Sequence, residues 1–208
     1  MSNRVSAAVD RALDERHREA SDEVERILAA AIRVMERVTP FAPRVDDIVA
    51  EAGSSKKAFY KYFAGKDDLL LAIMERGVAI IVSYLEHQMA KETQPREKIA
   101  RWIEGTMAQV ADPQLISMSR AALNQMSTTA QTGPADAIMA PMRDLLIEPA
   151  TALGGPDPQR DAEAVFQLTA ATMRGYIGST EPPGTADIDH LVRFCLGGIG
   201  ATGEDARR

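Results

Sequence analysis

The segment "GSSKKAFYKYFAGKDDL", residues 53–69, contains four lysines and reaches its first acidic residue only at Asp67. The aromatic residues among these lysines are Phe59, Tyr60, Tyr62 and Phe63. The chain as a whole is acidic, with a formal net charge of −6, and the acidic excess lies after residue 66. This net charge argues against a protein coated with basic charge, but it leaves room for one local basic surface.

The residues around this segment predict two short helices joined by a tight turn. Apolar residues spaced i, i+3, i+4 and i+7 predict a helix over about residues 45–52. Gly53 suits a tight turn, and Ser54 or Ser55 can cap a following helix over about residues 55–63. In that helix Phe59 and Phe63 lie four residues apart and are predicted to be core, with the lysines outside. This arrangement is typical of a helix-turn-helix.

The rest of the chain predicts further helices and no β-strand, so the expected fold class is all-α. Residues 1–20 are polar and read as a loose arm or a helical extension. An N-terminal three-helix domain is expected over residues 21–66, followed by a bundle of about six helices over residues 67–203. The helices are predicted at about residues 22–38, 66–91, 95–111, 112–127, 135–153, 159–179 and 186–201. The helix over residues 135–153 contains Pro141 and Pro149, which predict a kink or a break within it.

Composition narrows the function classes. Hydrophobic residues make up 45% of the chain and charged residues 26%, as in ordinary globular proteins. The single cysteine, Cys195, allows no intrachain disulfide and makes a thiolate metal site implausible, which suits a reducing cytoplasm. His17, His87 and His190 show no metal-ligand spacing, and nucleotide-binding or nucleophile motifs are absent. We therefore expect no enzyme, no metal, no cofactor and no membrane span.

A short cationic helix can enter the major groove of DNA, where lysines hold phosphates and side chains at the helix start reach base edges. Lysines at this spacing are equally consistent with a solvated helix face. Lys57 is the most plausible base reader, because lysine donates to guanine O6 and N7.

The stretch "VDDIVAEAGSSKKAFYKYFAGKDDLLLAIM" resembles the DNA-binding region of TetR-type (tetracycline-repressor-like) transcriptional regulators. The resemblance covers about residues 22–75, and "ILAAAIRVMERV" is similar to the family's first helix. The positions that match the family pattern are Val45, Asp47, Ile48, Ala52, Gly53, Ser55, Tyr60, Tyr62, Phe63, Lys66 and Leu69. The resemblance implies a DNA-binding regulator, most commonly a repressor.

The same resemblance implies the roles of individual residues at the DNA. It assigns phosphates to Tyr60, Tyr62 and Lys66, and assigns a flanking phosphate to Arg44. It implies that Lys56, Lys57 and Ala58 face the bases and that Lys61 lies at the edge of these base contacts. Ser55 is also among the predicted DNA-binding residues. The sequence departs from the pattern at Ser54, where an apolar residue is usual, and at Lys57, where glycine is common.

The last two long helices suggest a dimer. The segments "AEAVFQLTAATMRGYIG" and "IDHLVRFCLGGIG" are apolar or small on nearly all sides, which predicts burial against a second copy or, alternatively, within the chain. The resemblance implies a four-helix interface across a two-fold axis, and such a homodimer would bind a palindromic operator in double-stranded DNA. The candidate interface residues are Val165, Leu168, Ala171, Leu191, Phe194 and Ile199.

Methionines concentrate in the middle helices, where they either fill a core or line an adaptable apolar pocket. The resemblance implies an effector site inside this bundle, and the scarcity of charge favours a neutral, hydrophobic small molecule. The candidate ligand-binding residues are Trp102, Met107, Met118, Met126, Phe166, Met173 and Tyr176. An effector would act by preferring one spacing of the recognition helices over another. The rival reading is a ligand-binding helical dimer that has lost DNA binding.

Overall fold

The computed structural model describes residues 4–38, 41–111, 134–177, 179 and 181–199. All regular structure in these residues is helical, as the sequence predicts. The helices are α1 (Arg4–Val38), α2 (Val45–Glu51), α3 (Lys56–Tyr62), α4 (Lys66–Met89), α5 (Pro95–Ala111), α6 (Pro134–Asp144), α7 (Ile147–Ala152), α8 (Pro158–Ile177) and α9 (Thr185–Gly198). The predicted helix at residues 112–127 lies outside the described residues.

The chain divides into two compact units, Met1–Ile73 and Met74–Arg208, with the division inside α4. We call them the N-terminal unit and the C-terminal unit. The domain limits given above stay a prediction.

Helix α1 is much longer than predicted. In the described residues it begins at Arg4 and not near residue 22, so residues 4–20, expected to be a loose arm or a helical extension, are a helical extension. No glycine or proline occurs before Pro40, and Ala, Arg and Glu favour helix throughout. The C-terminal half of α1 is packed, with Ile27 and Val34 fully buried, and extending a helix that packing already stabilises costs less than starting a new one.

The core of the N-terminal unit is built by α1, α2, α3 and the start of α4. Phe59 is fully buried, and its ring lies 5.6 Å from that of Phe63, as the four-residue spacing predicts. Helices α1 and α2 are also tied by Glu51, which accepts hydrogen bonds from Arg33 at 2.9 Å and Arg37 at 3.1 Å. These two bonds, led by the one from Arg33, lower the pKa of Glu51.

The core of the C-terminal unit is centred on Trp102. This side chain is 1% exposed, lies 6.2 Å from the ring of Phe166, and donates from Nε1 to the Met142 carbonyl at 2.9 Å. That bond satisfies the indole N–H where water cannot reach it. Cys195 is also buried in this core, and burial raises the pKa of its thiol.

The single helix predicted over residues 135–153 is two helices, α6 and α7. The break falls at Leu145 and Leu146, between the two prolines and not at either of them. Pro149 is the third residue of α7, where no intrahelical N–H bond is lost. Pro141 stays inside α6 and removes a hydrogen bond from its last turns.

Candidate nucleic-acid interface

The turn between α2 and α3 is a Schellman motif closed by a left-handed glycine. Gly53 has φ +59°, and its N–H donates to the Ala50 carbonyl at 3.2 Å. The Ser54 N–H reaches the Val49 carbonyl at 2.9 Å, which completes the motif. The tight turn predicted at Gly53 is therefore confirmed, and it fixes the direction in which α3 leaves α2.

Helix α3 starts with a side-chain cap. Ser55 has extended backbone angles, and its Oγ accepts a hydrogen bond from the Ala58 N–H at 3.1 Å. The capping residue predicted as Ser54 or Ser55 is thus Ser55. Its hydroxyl proton is not used by this cap, so Ser55 retains one donor for a phosphate.

The lysines of the segment lie in different electrostatic surroundings. Lys56 forms an ion pair with Asp46 at 2.6 Å, and this bond raises the pKa of Lys56. Arg44 lies close enough to oppose that shift weakly. Lys57 is exposed and has no ion pair with any residue that the structure describes. The strongest uncompensated positive charge at the start of α3 therefore belongs to Lys57.

The end of α3 carries a chain of hydrogen bonds. Lys61 Nζ lies 2.8 Å from the Tyr62 hydroxyl and 4.6 Å from the centre of the Tyr62 ring. The Tyr62 hydroxyl donates to Glu23 of α1 at 2.9 Å, and the Ser54 hydroxyl lies 3.4 Å from the other Glu23 oxygen. The bond to Tyr62 raises the pKa of Lys61.

The remaining predicted DNA-binding residues differ in exposure. Tyr60 is 58% exposed, with its ring edge-on to Phe59. Lys66 is exposed at the first position of α4, and Arg44 is exposed at the N-cap of α2. Ala58 is half-buried against the unit. Their contacts with DNA stay a prediction.

Two acidic residues close to α3 were missed by sequence reasoning. Asp46 and Glu23 each lie within hydrogen-bonding distance of a residue in or next to α3. Asp46 lies in the first turn of α2, where an acidic residue commonly complements the helix dipole, so no local pattern marks it as a partner of Lys56. Glu23 precedes Tyr62 by 39 residues, so no local pattern links the two.

The predicted ligand-binding residues divide by position. Trp102, Met107 and Phe166 are buried in the core of the C-terminal unit, and Met173 and Tyr176 pack against it. Burial, assisted by the nearby carboxylate of Asp187, raises the pKa of Tyr176. Met118 and Met126 lie outside the described residues. Whether these residues bind a ligand stays a prediction.

The predicted dimer residues divide in the same way. Val165, Leu191 and Ile199 are buried in the chain's own core, and Leu168 packs against that core. Ala171 is exposed, and Phe194 is 65% exposed. Only the last two therefore present apolar surface to a second copy without rearrangement.

The described residues contain neither a group of side chains placed to hold a metal ion nor a membrane-spanning helix. No group of three or more His, Cys, Asp and Glu side chains there is placed to hold a metal ion. None of the described helices is long and apolar enough to cross a membrane.

Solved structures similar to this chain share its fold over most of their length. The fatty acid degradation regulator FadR from Bacillus halodurans is 18% identical, with a TM-score of 0.67, covering 84% of this chain and 98% of its own. FadR from Bacillus subtilis, in complex with stearoyl-CoA, is 17% identical, with a TM-score of 0.66 and coverages of 85% and 97%. A TetR-like transcriptional regulator from Rhodococcus sp. RHA1 is 24% identical, with a TM-score of 0.61 and coverages of 86% and 97%.

The family model that matches the sequence lies within the N-terminal unit. Comparison with curated proteins gives no significant match. Residues 27–73 match the family model described as bacterial regulatory proteins, tetR family, and this segment contains α2, α3 and the packed half of α1. Residues 27–73 therefore belong to a TetR-family N-terminal domain with a DNA-binding helix-turn-helix, and the fold of the chain is similar to that of the solved TetR-like regulator.

Proposed function

We propose that the chain is a transcriptional repressor that binds a palindromic operator as a homodimer, and that a small hydrophobic effector in the C-terminal unit controls this binding. Because the proposed target is bacterial operator DNA, its place of action is the cytoplasm. The observation that carries the proposal is the start of α3. There the Gly53 turn and the Ser55 cap fix a short helix whose exposed Lys57 has no ion pair among the described residues.

The proposed DNA contacts follow from this geometry. Lys57 lies in the first turn of α3, where helix-turn-helix proteins contact base edges, and its ammonium donates to guanine O6 and N7. Tyr60 and Lys66 are exposed, and in this proposal they hold phosphates, which fix register without reading sequence. Arg44 and the free donor of Ser55 extend the phosphate contacts.

The homodimer is supported by the outer faces of α8 and α9. Phe194 on α9 is 65% exposed, a large aromatic surface left uncovered by the single chain. Ala164, Ala171 and Gly175 of α8 are exposed and small, so another helix can approach α8 closely. A two-fold dimer through these faces binds two equivalent half-sites, which is why the proposed operator is palindromic.

A neutral effector is supported by the polarity of the C-terminal interior. The only buried polar or charged residues among those described are Thr106 on α5 and Thr169 on α8. Neither hydroxyl has a hydrogen-bond partner within the described chain. The half-buried Thr172, in contrast, donates to the Leu168 carbonyl at 2.9 Å. Two buried hydroxyls without a buried charge favour an apolar ligand with one or two neutral polar groups.

The DNA-binding part is tested by fluorescence anisotropy with duplexes from upstream of the chain's own coding region. Wild type and a Lys57→Ala/Tyr60→Phe variant are compared at two salt concentrations, with a scrambled duplex as control. We expect saturable, sequence-selective binding that weakens steeply with salt and is lost in the variant. No binding even at low salt would instead favour a ligand-binding dimer that does not bind DNA.

The effector part is tested with ligands of one chain length and different head groups. The structure of Bacillus subtilis FadR with stearoyl-CoA makes the stearoyl chain a reasonable starting point. We expect stearyl alcohol, which is neutral, to raise the melting temperature and change operator affinity more than stearic acid or stearoyl-CoA. A larger effect of either charged ligand would contradict a neutral effector.

A further inference from the structure

The hydrogen-bond chain at the end of α3 links the proposed DNA surface to a carboxylate. It runs from Lys61 Nζ to the Tyr62 hydroxyl at 2.8 Å, and from that hydroxyl to Glu23 Oε2 at 2.9 Å. Glu23 and Tyr62 are both half-buried, and all three residues belong to the N-terminal unit. Glu23 thus brings a negative charge to a surface that is proposed to hold phosphates.

The direction of each bond is fixed by chemistry. An ammonium group has donors and no lone pair, so Lys61 donates and the Tyr62 oxygen accepts. A phenol has a single proton, so Tyr62 uses it on Glu23. While this chain of bonds is intact, Tyr62 has no proton left to donate to a DNA phosphate, whereas Lys61 keeps two.

We propose that Glu23 limits the DNA affinity of the chain by taking the Tyr62 proton that a backbone phosphate would otherwise accept. The inference rests on the proposed function, because it takes Tyr62 and Lys61 to lie at the DNA backbone. Glu23 also repels a phosphate approaching Tyr62, since both groups are anionic. The residue acts through Tyr62 and Lys61 and is therefore a positioning residue.

Limiting the phosphate contacts lowers the affinity for every duplex and leaves the ratio between operator and non-specific affinity unchanged. Phosphate contacts strengthen binding to every duplex, whereas base contacts strengthen binding only to the operator. A carboxylate that weakens the backbone contacts lowers non-specific affinity and leaves the contribution of Lys57 intact. Ser54 helps to hold the Glu23 carboxylate, because its hydroxyl lies 3.4 Å from Glu23 Oε1. The TetR-type pattern usually has an apolar residue at this position, which could not make this contact.

The alternative is that Glu23 holds the side chains of Tyr62 and Lys61 in the conformation that binds DNA. The two roles predict opposite signs for Glu23→Ala. If Glu23 limits affinity, its removal frees the Tyr62 proton and tightens DNA binding. If Glu23 holds these side chains in place, its removal makes both of them more mobile and weakens DNA binding.

The test measures the affinity of full-length variants for the upstream duplex and for a scrambled duplex by anisotropy at one salt concentration. We expect Glu23→Ala to tighten binding to both duplexes about fivefold, the scale of the net gain from one additional hydrogen bond. Glu23→Gln keeps an acceptor for Tyr62 without the charge, so a smaller gain is expected. Glu19→Ala removes one charge from the exposed half of α1, one turn before Glu23, and should leave affinity unchanged.

A double-mutant cycle isolates the role of Tyr62. We expect Tyr62→Phe to change binding little in the wild type and to weaken it about fivefold in the Glu23→Ala background, where the hydroxyl is free to donate. Thermal unfolding of each variant confirms that it is folded. Unchanged or weaker binding by a folded Glu23→Ala variant would overturn the inference while leaving the proposed function intact. A wild type that binds neither duplex would overturn both.

Discussion

The two units of the chain differ in how they use polar side chains. Beside α3 in the N-terminal unit, polar groups are paired: Ser55 with the Ala58 N–H, Lys56 with Asp46 and Tyr62 with Glu23. In the C-terminal unit, the two buried polar side chains, Thr106 and Thr169, have no partner in the described chain. Pairing holds these groups at the proposed DNA interface in one geometry, whereas unpaired hydroxyls in a core retain hydrogen-bonding capacity that the proposed effector would use.

The largest expected effect tests whether the C-terminal core is packed as described. We expect Trp102→Ala to lower the free energy of unfolding by about 3–5 kcal/mol, because it removes the central side chain and leaves a cavity. Trp102→Phe, which keeps an aromatic ring but loses the bond to the Met142 carbonyl, should cost less. Denaturant unfolding measures both. A loss below about 1 kcal/mol for the alanine variant would show that Trp102 is not central to the core.

The turn at Gly53 is expected to tolerate an alanine less well than the interior of a helix does. Gly53→Ala places a Cβ in the left-handed region and should destabilise the protein by about 1–2 kcal/mol, although no atom lies within 4 Å of that Cβ. Gly77→Ala is the matched control: it lies inside α4, also has open space, and should stabilise by about 0.5–1 kcal/mol. Thermal unfolding compares the two. Equal effects of the same sign would contradict the turn geometry.

Replacing the unpaired hydroxyls of Thr106 and Thr169 tests the comparison between the two units directly. We expect Thr106→Val and Thr169→Val each to stabilise the ligand-free protein by up to about 1 kcal/mol, because each removes a buried hydroxyl that has no partner and keeps the shape. Thr172→Val removes a hydroxyl that is bonded to the Leu168 carbonyl, so no gain is expected there. Chemical denaturation distinguishes the three. Destabilisation by both core variants would mean that these hydroxyls are paired in the protein.

The smallest expected effect concerns the ion pairs of Glu51. Its pKa is lower in the folded state than in the unfolded state, so the stabilisation is present above the ordinary pKa of a glutamate and is lost as pH falls through the folded pKa. We expect Glu51→Gln to lower the melting temperature slightly near neutral pH and to match the wild type in acid. The partners Arg33 and Arg37 are more than half exposed, which keeps the effect small. A difference that persists in strong acid would point to another cause.

Sequence reasoning succeeded where structure is set by neighbouring residues. The left-handed turn follows from Gly53, the cap from Ser55, and the buried ring pair from the spacing of Phe59 and Phe63. These features depend on local backbone preference and helical periodicity, both of which are visible in a few letters of sequence.

Sequence reasoning failed where the deciding partner is distant. The extension of α1 depends on propagation from its packed half. The kink or break that the two prolines predict is confirmed, but its position at two leucines between them is not visible in the sequence. The pairing of Glu23 with Tyr62 joins residues 39 positions apart. Burial of Val165, Leu191 and Ile199 within one chain depends on tertiary packing, which apolar periodicity cannot separate from burial between chains.

The most direct test of the central claim, that the start of α3 reads DNA sequence, compares Lys57→Ala with Lys66→Ala. Both variants remove one exposed lysine, and their affinities for the operator and a scrambled duplex are measured over a range of salt. We expect Lys57→Ala to reduce the ratio of the two affinities about tenfold or more. Lys66→Ala should weaken both duplexes alike and reduce the salt slope by about one. If both variants weaken both duplexes equally, Lys57 is a phosphate contact and the account of sequence reading at α3 is wrong.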